Sequence, residues 1–489
     1  MNLINIAFYL MLAVCSMNSF SISQTDHRHY SDTVIHTKDT LSSQIDHILN
    51  DSSLSSSFIG VKIVRLDNGS ILYELNSNKL FHPASNLKLV TTAAAINLLD
   101  KNFEFTTKFY TDGKADNGNL KGNLYIKGSG DPLLETSDLD SITSHLKMNG
   151  ITAIKGDIIG DISYFDSIYW GQGWMWDDEP STDEPFISPL SVNKNSVKVI
   201  VRPGQMLSDP PIVIIEPQLS SVKVINYAVT TSDTSIEALL VSRIRGENKI
   251  IVQGRISPGS EPKEFSVSLR KPELIFLELL RDRINLQDIR TEGNMRLGTI
   301  RGDKLIYEAT HSLDSVIHSA NKLSDNLAAE NLLKTLSAEL TGQPGVSADG
   351  IQFTKHFLAS IGIDTSKVMM ADGSGVSWYN EMTPDGIVTV LIKLYNSKTI
   401  FPRFYESLAI AGIDGTMKNR MKNTRATGNV RAKTGSLRGV SGLSGYGTSM
   451  DNHMFAFSIL CNHFPGENGI LREIQDKILE LLVNTDIGD

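Results

Sequence analysis

Cysteine is nearly absent from this 489-residue chain, which has only Cys15 and Cys461. Cys15 falls in a segment expected to be removed. Cys461 would then stand alone, so an intramolecular disulfide is excluded from the mature chain. It lies in the apolar run Met454–Cys461, where a small buried thiol is expected rather than a reactive one. Long hydrophobic runs are also missing. The candidate at Ile4–Val14 is too short to span a bilayer. Positive charge is not in excess, since 46 Lys and Arg face 55 Asp and Glu for a net charge of −9. That balance argues against nucleic acid or an anionic membrane as partner.

The N-terminus reads as an export signal. An apolar stretch is followed by small residues, and Ser21-Ile22-Ser23 is a plausible cleavage site. Residues 1–23 are assigned to the signal and the mature protein to the periplasm. No Lys or Arg precedes the apolar run, which departs from the usual pattern. Cys15 follows Leu12-Ala13-Val14, a loose likeness to a lipoprotein box. Val14 is bulky where a small residue is wanted, so lipidation is the weaker expectation.

What remains is long enough for two or three domains. At 40% hydrophobic and 21% charged, it is typical of a folded soluble protein. Phe58 to Leu75 reads as a hairpin turning at Asp67-Asn68-Gly69, with Val61 and Ile63 alternating on one arm. Pro83 to Leu98 reads as a helix with Leu87, Val90, Ala94 and Leu98 facing the core. From about Lys101 to Pro272 short alternating segments and glycine turns dominate, interrupted by a helix over Ser137–Met148. Helical patterning returns at Glu273–Ile284, Leu323–Leu340, Phe401–Ile410 and Ile470–Val483. Leu437–Tyr446 and Met454–Cys461 read as paired strands.

Chemistry concentrates at Ser85-Asn86-Leu87-Lys88. Three residues apart on a helix, Ser85 and Lys88 share a face. A serine hydroxyl needs a neighbouring base to become a nucleophile. A lysine amine can serve if burial or a second cation lowers its pKa. Alone the pattern is weak: Ser-x-x-Lys recurs at Ser144, Ser191, Ser268 and Ser319, and a serine at a helix start is usually a cap. Two later motifs change the balance. Ser324-Asp325-Asn326 opens a helix, where the ordinary reading is again a cap. Lys433-Thr434-Gly435 leads into a strand, where the ordinary reading is an exposed lysine. The three motifs in this order match the pattern of serine β-lactamases and penicillin-binding proteins.

The long stretch between Ser85 and Ser324 narrows the match. With it go Gly128-Ser129-Gly130-Asp131-Pro132, Gly173-Trp174-Met175-Trp176-Asp177-Asp178, Asp372-Gly373-Ser374-Gly375 and Gly412-Ile413-Asp414-Gly415-Thr416. Over nearly its whole mature length the chain resembles the class C low-molecular-mass penicillin-binding proteins, the D-alanyl-D-alanine carboxypeptidase/endopeptidases of peptidase family S13. The resemblance implies an α/β multidomain fold. A β-lactamase/transpeptidase-like domain (40–103 and 287–489) would be split by an inserted β-domain (104–135 and 201–286), itself holding a nested domain (136–200).

The resemblance also implies roles. Ser85 is the nucleophile and Lys88 its base. Ser324 relays a proton, aided by Lys433, and Asn326 holds the substrate amide. Thr434, Gly435, Ser436 and Ser374 contribute to substrate binding, with backbone N–H groups of Ser85 and Ser436 as oxyanion hole. Asp178 would meet a side-chain amine of the substrate, against an ordinary reading as a solvated acidic loop. Two lysines near one site should disfavour each other's protonation. Expected partners are peptidoglycan peptides ending in D-Ala-D-Ala or D-Ala-diaminopimelate, and β-lactams as covalent inhibitors. No metal or organic cofactor is required. Two departures stand out: Trp378 replaces the Arg usual after Asp-Gly-Ser-Gly-x-Ser, and the aromatic run expected after the paired acids is here Pro180-Ser181-Thr182-Asp183-Glu184. A β-lactamase is the nearest rival, though no water-activating base is evident in the sequence. A non-catalytic wall-binding protein is the rival from another class, and it has no use for an intact nucleophile–base pair.

Overall fold

The computed structural model describes residues 40–233 and 238–488. The expected signal segment and Cys15 lie outside the described residues. Among the described residues no helix is long and apolar enough to cross a membrane.

One sheet positions the site. Its six antiparallel strands run, in order, Ile71–Leu75, Phe58–Arg65, Met454–Asn462, Val440–Thr448, Arg431–Leu437 and Ala409–Ile410. The first hairpin therefore pairs, through Phe58–Arg65, with the last strand, Met454–Asn462, bringing early and late segments of the chain into one sheet. Phe58–Arg65 was expected to bury alternate residues, yet all but its first residue are buried. Both faces of the sheet are covered. One side packs on the helices Leu87–Leu98, Leu313–Lys322, Asn326–Thr341 and Pro384–Tyr395. The other packs on Leu41–Leu49 and Asn468–Val483. A strand sandwiched this way loses its alternation. Its two buried charged side chains are matched, Lys62 by Glu74 at 2.7 Å and Asp385 at 3.5 Å, and Arg65 by Asp67 at 2.6 Å.

The middle of the chain builds other sheets. Five mixed strands run Met295–Leu297, Ile158–Asp161, Leu124–Gly128, Glu104–Thr111 and Lys304–Ser312. An antiparallel trio is formed by Ile212–Glu216, Ser196–Arg202 and Lys263–Ser268. These share a hydrophobic cluster with the helices Thr136–Met148 and Pro272–Leu286. The last matches the helix expected near Glu273, beginning one residue earlier with Pro272 in its first turn, the position that tolerates proline.

The helix expected over Leu323–Leu340 begins three residues later, at Asn326. Leu313–Lys322 ends just before it, Ser324 takes φ +62°, and a new helix begins at Asn326. Asp325 caps that helix, accepting from Ala328 N at 3.1 Å. The expected helix at Phe401 stops at Ser407, and Ala409–Ile410 instead pairs with the strand carrying Lys433.

Candidate active site

Ser85 sits in a tight turn, Ala84–Asn86, immediately before the helix Leu87–Leu98. Ala84 is held at φ +46°, a conformation rare for a residue with a Cβ. Crowding accompanies that strain. A Cβ on Gly375 would lie 1.9 Å from the Ala84 carbonyl oxygen, and Cβ atoms on Gly435 and Gly442 would lie 2.5 and 2.3 Å from Asn86 Nδ2. Glycines in the motif strand and its neighbour thus let the Ser85 turn lie flat on the sheet.

Lys88 lies one turn on and is fully buried. Its Nζ is 2.9 Å from Ser85 Oγ, 2.5 Å from Asn326 Oδ1 and 2.7 Å from the Ser374 carbonyl oxygen. Three acceptors match the three protons of an ammonium. If the amine is neutral, its two N–H groups serve Asn326 and Ser374, and its lone pair is left for the Ser85 hydroxyl. Burial pushes the Lys88 pKa down to about 8, against the pull of Asp372, Glu330, Asp325 and Asp183. Of the two causes expected, burial and a second cation, it is desolvation that depresses this amine. Lys433 is also fully buried, and its pKa is driven well down by burial and then by Lys88.

The Ser324-Asp325-Asn326 segment divides its work. Ser324 Oγ accepts from Lys433 Nζ at 2.8 Å. Asp325 is the cap, and Asn326 meets Lys88. The cap reading thus holds for one residue of the three. The left-handed Ser324 is what turns its hydroxyl toward Lys433 while Asn326 faces Lys88.

A loop beneath Lys88 is fixed from several sides. Asp372, buried, accepts from Gly375 N and Asn380 Nδ2 through Oδ1, and from Ser377 N and Trp174 Nε1 through Oδ2. Glu330 Oε1 accepts from the backbone N–H groups of Gly373 and Ser374 at 3.0 and 2.8 Å. Burial, with Asp372 nearby, raises the Glu330 pKa to about 8. Ser374 therefore contributes its backbone to the site, and its residue is fully buried. Glu330 follows Asn326 by four residues, one helical turn, and that spacing was a readable sign of a shared face.

Above Ser85 opens a cavity of about 520 Å³, lined also by Ser324, Asn326, Thr434, Gly435 and Ser436. Thr434 Oγ1 lies 2.8 Å from Thr416 Oγ1. Five sequence-selected residues thus share one wall with the nucleophile, and Lys88 and Lys433 lie behind it. Asp178 is not among the lining residues. Its carboxylate turns back to accept from Met175 N at 2.9 Å, a local turn bond open to any short acidic side chain. The acids on the wall are Asp183 and Glu184. The Asp183 carbonyl accepts from Asn326 Nδ2 at 2.5 Å. Glu184 is mostly buried, and desolvation raises its pKa to about 7. Trp378 lines a separate cavity of about 670 Å³ with Arg438, Glu381 and His463, its ring centroid 4.9 Å from that of His82. Cys461 is buried, and burial raises its pKa to about 12.

Comparison with known proteins gives a consistent picture. Residues 41–485 match the model of the D-Ala-D-Ala carboxypeptidase 3 (S13) family. A D-alanyl-D-alanine carboxypeptidase of Actinomadura sp. (strain R39) is 30% identical over 454 residues, covering 90% of this chain and 83% of the relative. D-alanyl-D-alanine carboxypeptidase DacB of Haemophilus influenzae is 28% identical over 422 residues, covering 83% and 85%. The crystal structure of penicillin binding protein 4 (dacB) from H. influenzae superimposes with a TM-score of 0.79 at 24% identity, covering 91% of this chain and 99% of that one.

Proposed function

Because this chain belongs to the D-Ala-D-Ala carboxypeptidase 3 (S13) family and is a serine-type hydrolase of that family, we propose that it cleaves the terminal D-Ala-D-Ala bond of peptidoglycan stem peptides through an acyl-enzyme on Ser85. One observation carries the assignment. Across the floor of a single cavity, the Lys88 amine meets Ser85 Oγ while the Lys433 amine meets Ser324 Oγ.

In the proposed reaction Ser85 Oγ attacks the carbonyl carbon of the penultimate D-Ala as neutral Lys88 takes its proton. The tetrahedral oxyanion forms against the backbone N–H groups of Ser85 and Ser436. Losing one such donor typically costs about 3 kcal/mol of barrier. Collapse breaks the C–N bond. The leaving amine gains a proton through the Ser324 hydroxyl from Lys433, which Lys88 can resupply. Water then attacks the ester, releasing the shortened peptide and restoring Ser85. Asn326, fixed by Lys88 and by the Asp183 carbonyl, would hold the substrate amide. A β-lactam ring opened by the same attack leaves a stable ester, which makes penicillins covalent inhibitors.

The export signal expected at the N-terminus would place the protein in the periplasm. A D-Ala-diaminopimelate cross-link presents the same bond with a larger leaving group, so DD-endopeptidase activity is included in the proposal. The role assigned to Asp178 passes to Asp183 and Glu184, which line the cavity where a side-chain amine of the stem peptide would lie. Incubation with purified muropeptides tests the reading: loss of one alanine by mass is carboxypeptidase action, and conversion of dimers to monomers is endopeptidase action. Neither product, together with no penicillin labelling, would reject it. Acetylating the side-chain amine of the peptide should slow turnover. Equal turnover of blocked and free peptides would remove Asp183 and Glu184 from that role.

A further inference from the structure

The cavity contains two guanidinium groups that the three motifs do not account for. Arg420 and Arg472 both reach its wall beyond Ser436. They differ in what they are free to do. Arg420 is almost fully buried, and its Nε and Nη2 lie 2.9 and 2.6 Å from Asp476 Oδ1. Further bonds from Nη2 go to the Arg472 carbonyl and to Gln475 Oε1. Its charge is matched inside the protein. Arg472 projects from the helix Asn468–Val483 and is exposed. Among the described residues no carboxylate lies within ion-pairing distance of it. Its one side-chain contact is Nη2 to Ser436 Oγ at 3.3 Å.

Ser436 completes the arrangement. Its Oγ also lies 2.8 Å from Asn468 Nδ2. A hydroxyl oxygen has two lone pairs and one proton. Arg472 Nη2 donates to one of those lone pairs, so the hydroxyl proton is free to be donated toward the cavity. Asn468 is anchored in turn by the carbonyls of Leu437 and Val440, so helix and strand are held in register at this point. The result is a directed O–H beside an unmatched guanidinium, a pair suited to a carboxylate.

A cation is needed there. If the protein cleaves next to a C-terminal residue, as proposed above, the leaving group carries a free carboxylate. Lys433 is sealed behind the wall and bonded to Ser324 Oγ and the Thr434 carbonyl. We infer that Arg472, acting with the Ser436 hydroxyl, reads the free carboxylate of the residue being released, and so makes the enzyme select substrates that end in an acid.

The test uses one peptide, diacetyl-L-Lys-D-Ala-D-Ala, and its C-terminal carboxamide, with wild type, Arg472→Ala and Arg472→Lys. A charge-assisted contact present in both ground and transition states acts on KM. Arg472→Ala should therefore lower kcat/KM for the acid roughly 10- to 100-fold, mostly through KM. The carboxamide should change less than about threefold, and Arg472→Lys should recover part of the loss on the acid, since lysine keeps the charge without the fork. An equal loss on both peptides would mean that Arg472 only supports the fold, and would overturn the inference. An unchanged Arg472→Ala enzyme, with an active wild type, would overturn it alone. A wild type that neither turns over the acid nor is acylated by penicillin would overturn the acyl-transfer reading, and this inference with it.

Discussion

The faces of the Ser85 helix and of the strand-rich middle of the chain bury very different things. Around Ser85 the interior is polar. Lys88, Lys433, Glu330, Asp372, Asn321 and Asn380 are all buried to within about one per cent, and Lys88 and Asn321 bond across more than two hundred residues of sequence, to Asn326 and Thr92. Burying unpaired charge is expensive, so such a cluster persists where the chemistry needs shifted pKa values. In the middle region the interior is apolar. Phe109, Ile126, Val199, Ile250 and Leu277 are typical of it, and its outer strands, such as Lys223–Asn226, are half open to solvent. Ion pairs such as Lys121 with Asp116 and Lys155 with Glu292 lie at its surface, where each is worth little; the buried Arg243, paired with Glu179 at 3.0 Å, departs from that pattern. One region spends its stability on function, and the other supplies stability and shape. Variants in the two should therefore separate activity from folding.

The largest separation is expected at Ser85. Ser85→Ala removes the nucleophile and one hydrogen bond from a half-buried position. Acylation by penicillin should fall at least roughly 10⁴-fold, below detection by mass, with the thermal midpoint unchanged. Substantial labelling of this variant would move the nucleophile elsewhere. Next comes Lys88→Met, which preserves length but offers no base. Acylation should drop by roughly 10²- to 10⁴-fold, with the circular-dichroism spectrum retained. The wild type gives an independent check through pH. A base must be unprotonated, and the Lys88 pKa is pushed down to about 8. The acylation rate should therefore climb roughly tenfold per unit below pH 8 and level off above it. A rate that is flat or falling between pH 6 and 8 would remove Lys88 from the role of base.

The same contrast explains what could be read from the sequence. Ser85 and Lys88 are one helical turn apart, so local geometry alone brings them together. Lys433 and Gly435 share a strand face for the same kind of reason. Long-range meetings were accessible only through resemblance, because nothing local tells Asn326 to face Lys88. The opening of a helix at Ser324-Asp325-Asn326 was legible from its capping residues, but the left-handed turn at Ser324 was not. The kink is imposed by the Asp325 cap and by the contact of Ser324 with Lys433. The helix Leu313–Lys322 was overlooked although Leu313, Val316, Ile317 and Ala320 form a regular stripe. Asp178 and Asp183 could not be distinguished by composition. Which acid faces a cavity depends on how the loop is tied, and Asp178 is tied to itself. Arg472 had no motif, and its meaning came only from the neighbour that Arg420 has and it lacks.

Ile250→Ala tests the other side of the contrast. Ile250 is fully buried in the apolar cluster on the strand Lys249–Gln253. Its loss should cost about 2–5 kcal/mol of stability and leave the acylation rate per folded molecule unchanged. A matching fall in that rate would show that the middle region reaches into the chemistry, and the division drawn here would fail.

The smallest effect should come from Gly246→Ala, in the turn between Leu240–Arg243 and Lys249–Gln253. Gly246 and Gly375 share φ +84°, so the intrinsic conformational penalty of adding a Cβ is alike at the two sites, about 1 kcal/mol. Their surroundings differ. Nothing closer than Arg270 Nη1, at 3.6 Å, meets a Cβ on Gly246, whereas one on Gly375 would collide with the Ala84 carbonyl beside Ser85. Backbone strain alone should therefore appear in Gly246→Ala, as a fall in thermal midpoint of a few degrees at most with full penicillin labelling. If Gly246→Ala instead lost labelling, the turn would be transmitting strain to Ser85, and local geometry would no longer separate the two regions.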